Sequence, residues 1–317
     1  MDIPYTFQGA PVSLCRSKSK EQKRHRKEEG SLKRIIHSLF IAGIATLVAG
    51  GLQAANGDKE DQDQGRRKLQ FTIKNVSPAD GLWIMRPWIG LHDGEFSTFM
   101  VGQPAPSGVQ HIAEDGITGD TTNPSLLTGP PNGCTSSNIV VYNPSSPCQY
   151  DVFRSYHHRG EQVTIGGPTA PGATLTYTFN VNPNDPKNRY LSYLVMIIPS
   201  NDAFFGTDSA HPIRLYDKMG HFSGGSGPIH FFVYFTDILD AGTEYNSEIP
   251  MDTAFLGQTV PGTGVHPDTD NPLIHMHDPF GAGIVNGSNM FPAGHTNVFL
   301  QANAPGPIAE VTISELP

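Results

Sequence analysis

Cysteine is scarce in this sequence, at 3 among 317 residues, and no Cys-x-x-Cys pair occurs. Neither thiol redox chemistry nor a cysteine-held structural zinc is suggested. Long uninterrupted stretches are rare too. With 34 glycines, 27 prolines and 37% hydrophobic residues, the composition points away from long helices and toward a turn-rich β protein. The strand-turn-helix setting of an activated serine is missing. Ser200, Ser223 and Ser226 have histidines nearby in sequence, but Gly224-Gly225-Ser226-Gly227 reads as loop punctuation. Basic charge is in short supply after the first 55 residues, which hold 9 Lys/Arg against 4 Asp/Glu, leaving 12 against 26 downstream. An acidic body without a basic cluster argues against nucleic acid as a partner, because phosphate contacts need Lys and Arg on one face. No internal repeat and no second core are evident, so one body of about 240 residues is the simplest organisation.

What is present divides the chain. Residues 1–34 are polar and basic, with Arg16-Ser17-Lys18-Ser19-Lys20 and Lys23-Arg24-His25-Arg26-Lys27, the composition of a disordered segment. Residues 35–52 contain no Asp, Glu, Lys or Arg, and as a helix they would span about 27 Å. Two readings of residues 35–55 stay open. A secretory signal needs small residues at its cut, and Ala49-Gly50-Gly51 and Gln53-Ala54-Ala55 offer them. The long basic flank suits instead an uncleaved anchor with that flank left in the cytoplasm. Either route exports the body, placing it outside the cell or at the cell surface on a single N-terminal anchor. A buried core helix is the third reading, weakened by the charged linker at residues 56–68.

The folded body is read as residues 69–317. Alternation predicts a half-buried strand over residues 69–76, and a second strand is read over 82–91, carrying Trp83 and Trp88, with Pro87 marking an edge or a bulge. Residues 107–116 fit a short helix with Ser107 as N-cap and Gly116 as stop. Strands are predicted over residues 150–156, 162–165, 173–181, 190–198, 213–216, 296–300 and 308–316. Residues 229–235 are apolar apart from His230, which suits a central strand covered on both faces. Together these describe an all-β antiparallel sandwich with long loops and one short helix. Cys134 and Cys148 would both be exported, and the simplest inference is one disulfide closing a 15-residue loop. Asn75-Val76-Ser77 and Asn286-Gly287-Ser288 are glycosylation sequons.

The strand at 229–235 breaks into an acidic turn, where Asp237, Asp240, Glu244 and Glu248 crowd around Gly242. Crowded carboxylates repel unless a cation sits between them. If residues 190–198, 213–216 and 229–235 form a meander, Asp202 leaves the same end of the fold as Asp240 and Glu244. Calcium takes six to eight oxygens, and Gly242 would let the turn tighten around one ion. Solvated turn acids are the simpler alternative.

Pro199-Ser200-Asn201-Asp202-Ala203-Phe204 and Asp240-Ala241-Gly242-Thr243-Glu244 resemble the paired signatures of the spondin domain, the N-terminal domain of F-spondin and mindin. Microbial and algal members are closer still, through Leu82-Trp83, Trp88-Ile89-Gly90, Ala113-Glu114-Asp115-Gly116, Glu248-Ile249-Pro250-Met251 and Ala254-Phe255-Leu256-Gly257-Gln258. The resemblance spans roughly residues 69–316. It implies a C2-like sandwich, calcium held by Asp202, Asp240 and Glu244, with Asp237 as a further candidate, and an adhesive role. Glu244 departs from the animal motif, which ends in Asp, and no thrombospondin repeats follow. The partners so implied are a cell-surface or matrix protein or a glycan.

A second, softer site is suggested by His266, His275 and His277, since imidazoles bind zinc, copper or nickel; an irregular surface loop with solvated histidines explains them equally. The reading from sequence is therefore a non-enzymatic, calcium-binding adhesion or ligand-binding module. One alternative is a carbohydrate-active hydrolase pairing Asp202 with Asp240 or Glu244. Another is a purely structural surface protein.

Overall fold

The computed structural model describes residues 65–79, 81–119, 147–246, 268–277 and 306–317. The chain divides at Gly57 and Asp58, and every described residue lies on the C-terminal side. In chain order the described strands are β1 (Arg67–Asn75), β2 (Trp83–Ile84), β3 (Trp88–His92), β4 (Arg159–Thr164), β5 (Thr174–Val181), β6 (Tyr190–Ile198), β7 (Ala203–Gly206), β8 (Ile213–Arg214), β9 (Ile229–Tyr234), β10 (Leu239–Asp240), β11 (His275–Met276) and β12 (Pro307–Leu316). Two short helices, α1 (Ser107–Asp115) and α2 (Gln149–Ser155), lie between β3 and β4. The strands form two antiparallel sheets. One has the order β5-β1-β12-β9; the other runs β11-β10-β7-β6-β3-β4, with β2 and β8 also paired to β6.

Period-two patterning explains the first sheet. Along β1, Leu69, Phe71 and Ile73 are fully buried while Lys68, Gln70, Thr72 and Lys74 face outward, as alternation of successive side chains requires. The buried set shares one core with Val311 and Ile313 of β12 and with Leu191, Tyr193, Val195 and Ile197 of β6, so residues from both sheets meet there. Each such side chain contributes about 1.5–3 kcal/mol when fully buried. The other face of β6 presents Leu194, Met196 and Ile198 to a second core, built from Trp88, Phe99, Val109, Ile112 and Phe153. A strand buried on both sides needs no alternation, and its run of nine residues has little.

The structure corrects several expectations. Residues 150–156 are not a strand. Residues 150–155 fall in helix α2, which buries Phe153 edge-on against Trp88, with ring centroids 5.3 Å apart, and seven residues are too few for period two to be told from 3.6. Strand β9 is not central. It is the edge of the four-stranded sheet, burying Val233 but exposing His230, Phe232 and Tyr234; aromatic residues on both faces had masked the alternation. The meander does not form either, because β6 and β9 belong to different sheets. The predicted strand over 82–91 is split at Arg86 and Pro87 into β2 and β3. Helix α1 has Pro106, not Ser107, in the N-cap position, and the Ser107 hydroxyl donates to Pro147 O at 2.8 Å instead.

Asn75 is no glycan acceptor in this fold. It is fully buried, donating from Nδ2 to Leu82 O and Thr169 O at 2.9 Å each. Asn286 and the strand expected at 296–300 lie outside the described residues. Cys148, fully buried beside α2, is disulfide-bonded, and its expected partner Cys134 lies outside the described residues. A membrane-spanning helix was expected as one of two readings. Among the described residues no helix is long and apolar enough to cross a membrane, and residues 35–55 lie outside them.

Gly116 stops α1 as expected, in the left-handed region at φ 64°, with its N–H bonded to Ile112 O at 2.8 Å. An added Cβ would meet only the flexible Met85 side chain, nearest at 2.9 Å. Gly116→Ala is accordingly expected to cost about 1 kcal/mol, the left-handed penalty alone, measured by chemical denaturation. A loss above about 3 kcal/mol would mean that Met85 cannot yield.

Candidate functional site

The acids singled out by sequence do come together, though by another route than a meander. Strand β7 follows Asp202 directly and pairs with β10, with Asp240 opposite Ala203 and Leu239 opposite Phe204. That ladder sets the two loops side by side, and Ala241 N donates to Asp202 O at 3.2 Å. Gly242 then adopts φ 67°, which aims the next two backbone N–H groups inward. Asp202 Oδ2 accepts from Thr243 N at 2.7 Å, from Glu244 N at 3.0 Å and from Thr243 Oγ1 at 3.1 Å. Asp240 is engaged at both oxygens, Oδ1 by Gly242 N at 2.8 Å and Oδ2 by Asn246 Nδ2 at 2.7 Å.

Burial makes this cluster unusual. Asp202, Asp240 and Glu244 are 0%, 1% and 2% exposed, where solvated turn acids would be open to water. Two further acids arrive from the end of helix α1, Glu114 and Asp115, both buried. Thr243 ties the groups together, since its side chain hydrogen-bonds Glu114 as well as Asp202. Gln110 Nε2 also donates to Glu114 Oε1 at 2.8 Å.

Ionisation follows from this packing. Removal from water pushes the Asp202 carboxyl up to about 8, with the nearby Asp240 charge adding to the rise and the bonds from Glu244 and Thr243 opposing it. Burial, and then the charge of Asp115, raises Glu114 well above the ordinary carboxylate range. Neutral carboxylic acids inside a protein can donate as well as accept hydrogen bonds.

The calcium expectation is overturned. Among the described residues no group of three or more His, Cys, Asp or Glu side chains could hold a metal ion. The bonds show a physical reason: Asp202 Oδ2 and both oxygens of Asp240 are already directed at N–H and O–H donors. Asp237 is elsewhere. Its Oδ2 accepts from Tyr234 N at 2.8 Å and caps the 3₁₀ turn Phe235–Asp237.

Of the softer histidine site, His275 and His277 belong to no metal-holding group among the described residues. His275, on β11, sits opposite Asp240 with Nδ1 3.9 Å from Oδ1, and that nitrogen lies 2.8 Å from Leu273 O. His277 is buried and its backbone N–H donates to Ile238 O at 2.9 Å, while His266 lies outside the described residues. The cluster's unforeseen members are Glu114, Asp115, Thr243 and Asn246. For Glu114 and Asp115 the one signal in the sequence was the Ala113-Glu114-Asp115-Gly116 block, which places two acids on an otherwise inward-facing helix, while Thr243 stands inside the 240–244 block.

A different set of side chains faces outward on β9. His230, Phe232 and Tyr234 project from one face at two-residue spacing, with Phe232 40% and Tyr234 46% exposed. Neighbouring rings are 5.1 and 6.4 Å apart between centroids. His230 Nε2 lies 2.9 Å from Glu310 Oε1 on the adjacent β12. Inland of this row the same face presents Thr312 and Ser314 of β12, Gln70 and Thr72 of β1, and Thr176 and Thr178 of β5, aligned by the ladder register. Neither a protein-family model nor a curated protein matches the chain.

Proposed function

We propose that this chain is a non-enzymatic adhesion or ligand-binding module acting outside the cell or at its surface, on a C2-like β-sandwich of the spondin type. The sandwich reading rests on the core shared between inward residues of β1, β12 and β6. The spondin reading rests on the blocks at 199–204 and 240–244, whose acids meet in one buried cluster. Export rests on the apolar segment at 35–52 ahead of an acidic body. The observation that carries the binding role is the exposed row of His230, Phe232 and Tyr234 beside a face of hydroxyls and amides. Aromatic rings left in water at a sheet edge offer flat apolar contact, and flanking polar groups supply orientation. A cell-surface or matrix protein or a glycan fits such a face.

The hydrolase alternative has one point in its favour, the raised pKa of Asp202, which a general acid needs. Against it stands burial: Asp202, Asp240 and Glu244 are all closed to solvent, and no substrate reaches them in this arrangement.

The test is binding of the full-length chain to a panel of immobilised matrix proteins and polysaccharides, beside the double variant Phe232→Ala, Tyr234→Ala. Wild type is expected to bind at least one member and the variant at least about tenfold more weakly, with an unchanged melting temperature. A chain that binds nothing, or a double variant that binds equally, overturns the reading. Release of reducing ends, abolished by Asp202→Asn, would replace it with the hydrolase.

A further inference from the structure

The cations of the body are not evenly spread. Arg66, Arg67, Lys68 and Lys74 all belong to β1 or the residue before it, a third of the basic residues after position 55. Arg66, Arg67 and Lys68 line a pocket of about 450 Å³ together with Asn180 of β5 and Glu315 of β12. Arg67 is committed to Glu315 at 2.7 Å, and among the described residues neither Arg66 nor Lys68 is held in an ion pair. The sequence assigned residues 66–68 to a charged linker. In the fold Arg67 and Lys68 open β1, Lys68 on the polar sheet face and Arg67 on the side of Leu69, where it meets Glu315 at the rim of the sheet.

The pocket and the aromatic row share that face. His230 stands opposite Thr312, Thr312 opposite Thr72, and Lys68 lies four residues from Thr72 along β1. Strand spacing of about 4.8 Å and a rise of about 3.3 Å per residue put His230 and Lys68 roughly 16 Å apart. Between them lie Gln70, Thr72, Thr312 and Ser314. The face is thus aromatic at one side, where Lys74 and Glu310 stand opposite each other, hydroxyl- and amide-bearing in the middle, and cationic at the far end.

We propose that this face binds an acidic polysaccharide, a chain bearing uronate groups, with a carboxylate seated in the Arg66–Lys68 pocket and pyranose rings lying toward Phe232 and Tyr234. This rests on the ligand-binding reading above and names its ligand class. Charge complementarity selects the carboxylate end, since a guanidinium fork pairs with a planar carboxylate through two parallel hydrogen bonds. Sugar C–H faces suit exposed rings, and sugar hydroxyls suit the threonines, serine and glutamine between. Nucleic acid fits less well. Its phosphates would need a surplus of cations along the aromatic row, where Lys74 is faced by Glu310 across the ladder and Glu310 also pairs with His230.

The experiment measures affinity of the full-length chain for polygalacturonate, a neutral glucan, a sulfated polysaccharide and a single-stranded oligonucleotide, at low and moderate salt. Wild type is expected to prefer polygalacturonate. The double variant Arg66→Glu, Lys68→Glu should lose at least tenfold of that affinity and most of its salt dependence, with the melting temperature unchanged. Equal binding by that variant overturns the proposal, as does preference for the sulfated polymer or the oligonucleotide. Binding to neutral glucan alone, lost in Phe232→Ala, Tyr234→Ala but not in the charge variant, overturns the ligand class while the module reading stands. Failure to bind any of the four, or any protein in the wider panel, overturns both.

Discussion

Replacing Gly242 by alanine is expected to destabilise the fold by about 3 kcal/mol, far more than a surface turn normally loses. Gly242 sits at φ 67°, a conformation that costs an L-residue about 1–2 kcal/mol. Space is the second penalty. A Cβ there would meet Asn271 O at 2.6 Å and Leu273 N and O at 2.7 Å, all backbone atoms. That segment has no easy retreat, because the next residue, Ile274, is buried and its N–H is bonded to Gln103 O at 2.9 Å. Moving the turn instead would pull Thr243 N and Glu244 N away from Asp202 Oδ2. Gly225→Ala is the control. Its φ is 64° with nothing within 4 Å of the added carbon, so it reports the left-handed penalty alone, about 1 kcal/mol. Equilibrium denaturation of both variants separates the terms. Equal losses would show that the turn at 240–244 can relax, and the crowding argument would fail.

The contrast between β6 and β9 shows what local pattern carries and what it does not. Both read as continuous apolar runs, and β6 is indeed buried on both faces. In β9 only Val233 is buried, and the strand is an edge with β12 on one side and no described strand on the other. Sheet order is decided by distant residues, and aromatic side chains on both faces hide the alternation that would have marked an edge. Helix α2 illustrates a second limit. Residues 149–155 acquire their conformation by packing Phe153 under Trp88, a contact across more than sixty residues of sequence. The acid cluster illustrates a third. Asp202, Asp240 and Glu244 were visible as an acidic group around a glycine, yet the assumed meander is absent and the β7–β10 ladder assembles them. Glu114 and Asp115 come from a helix whose docking no local pattern specifies. Nor could a list of carboxylates reveal which of their oxygens would be taken by backbone N–H groups.

Neutralising Asp202 is expected to flatten the dependence of stability on pH. Its folded-state pKa of about 8 lies above the ordinary value of 3.8, so between those limits the folded chain holds a proton that the unfolded chain has lost. Stability then falls as pH rises through that window and recovers as pH drops. Glu114, also raised by burial, acts in the same direction. Asp202→Asn keeps an acceptor for the N–H groups of Thr243 and Glu244 while removing the charge. In buffer cleared of metal ions by a chelator, it should melt above wild type at pH 8.5 and close to it at pH 5. Asp202→Ala should behave differently, because three donors lose their acceptor inside the fold. It is expected to lose about 1–3 kcal/mol at both pH values. Thermal unfolding across pH 5 to 8.5 on the three proteins decides between charge and hydrogen bonding as the dominant property of this carboxylate. A variant Asp202→Asn that melts below wild type at pH 8.5 would mean that the ionised form is the one the fold stabilises, reversing the electrostatic account of the cluster.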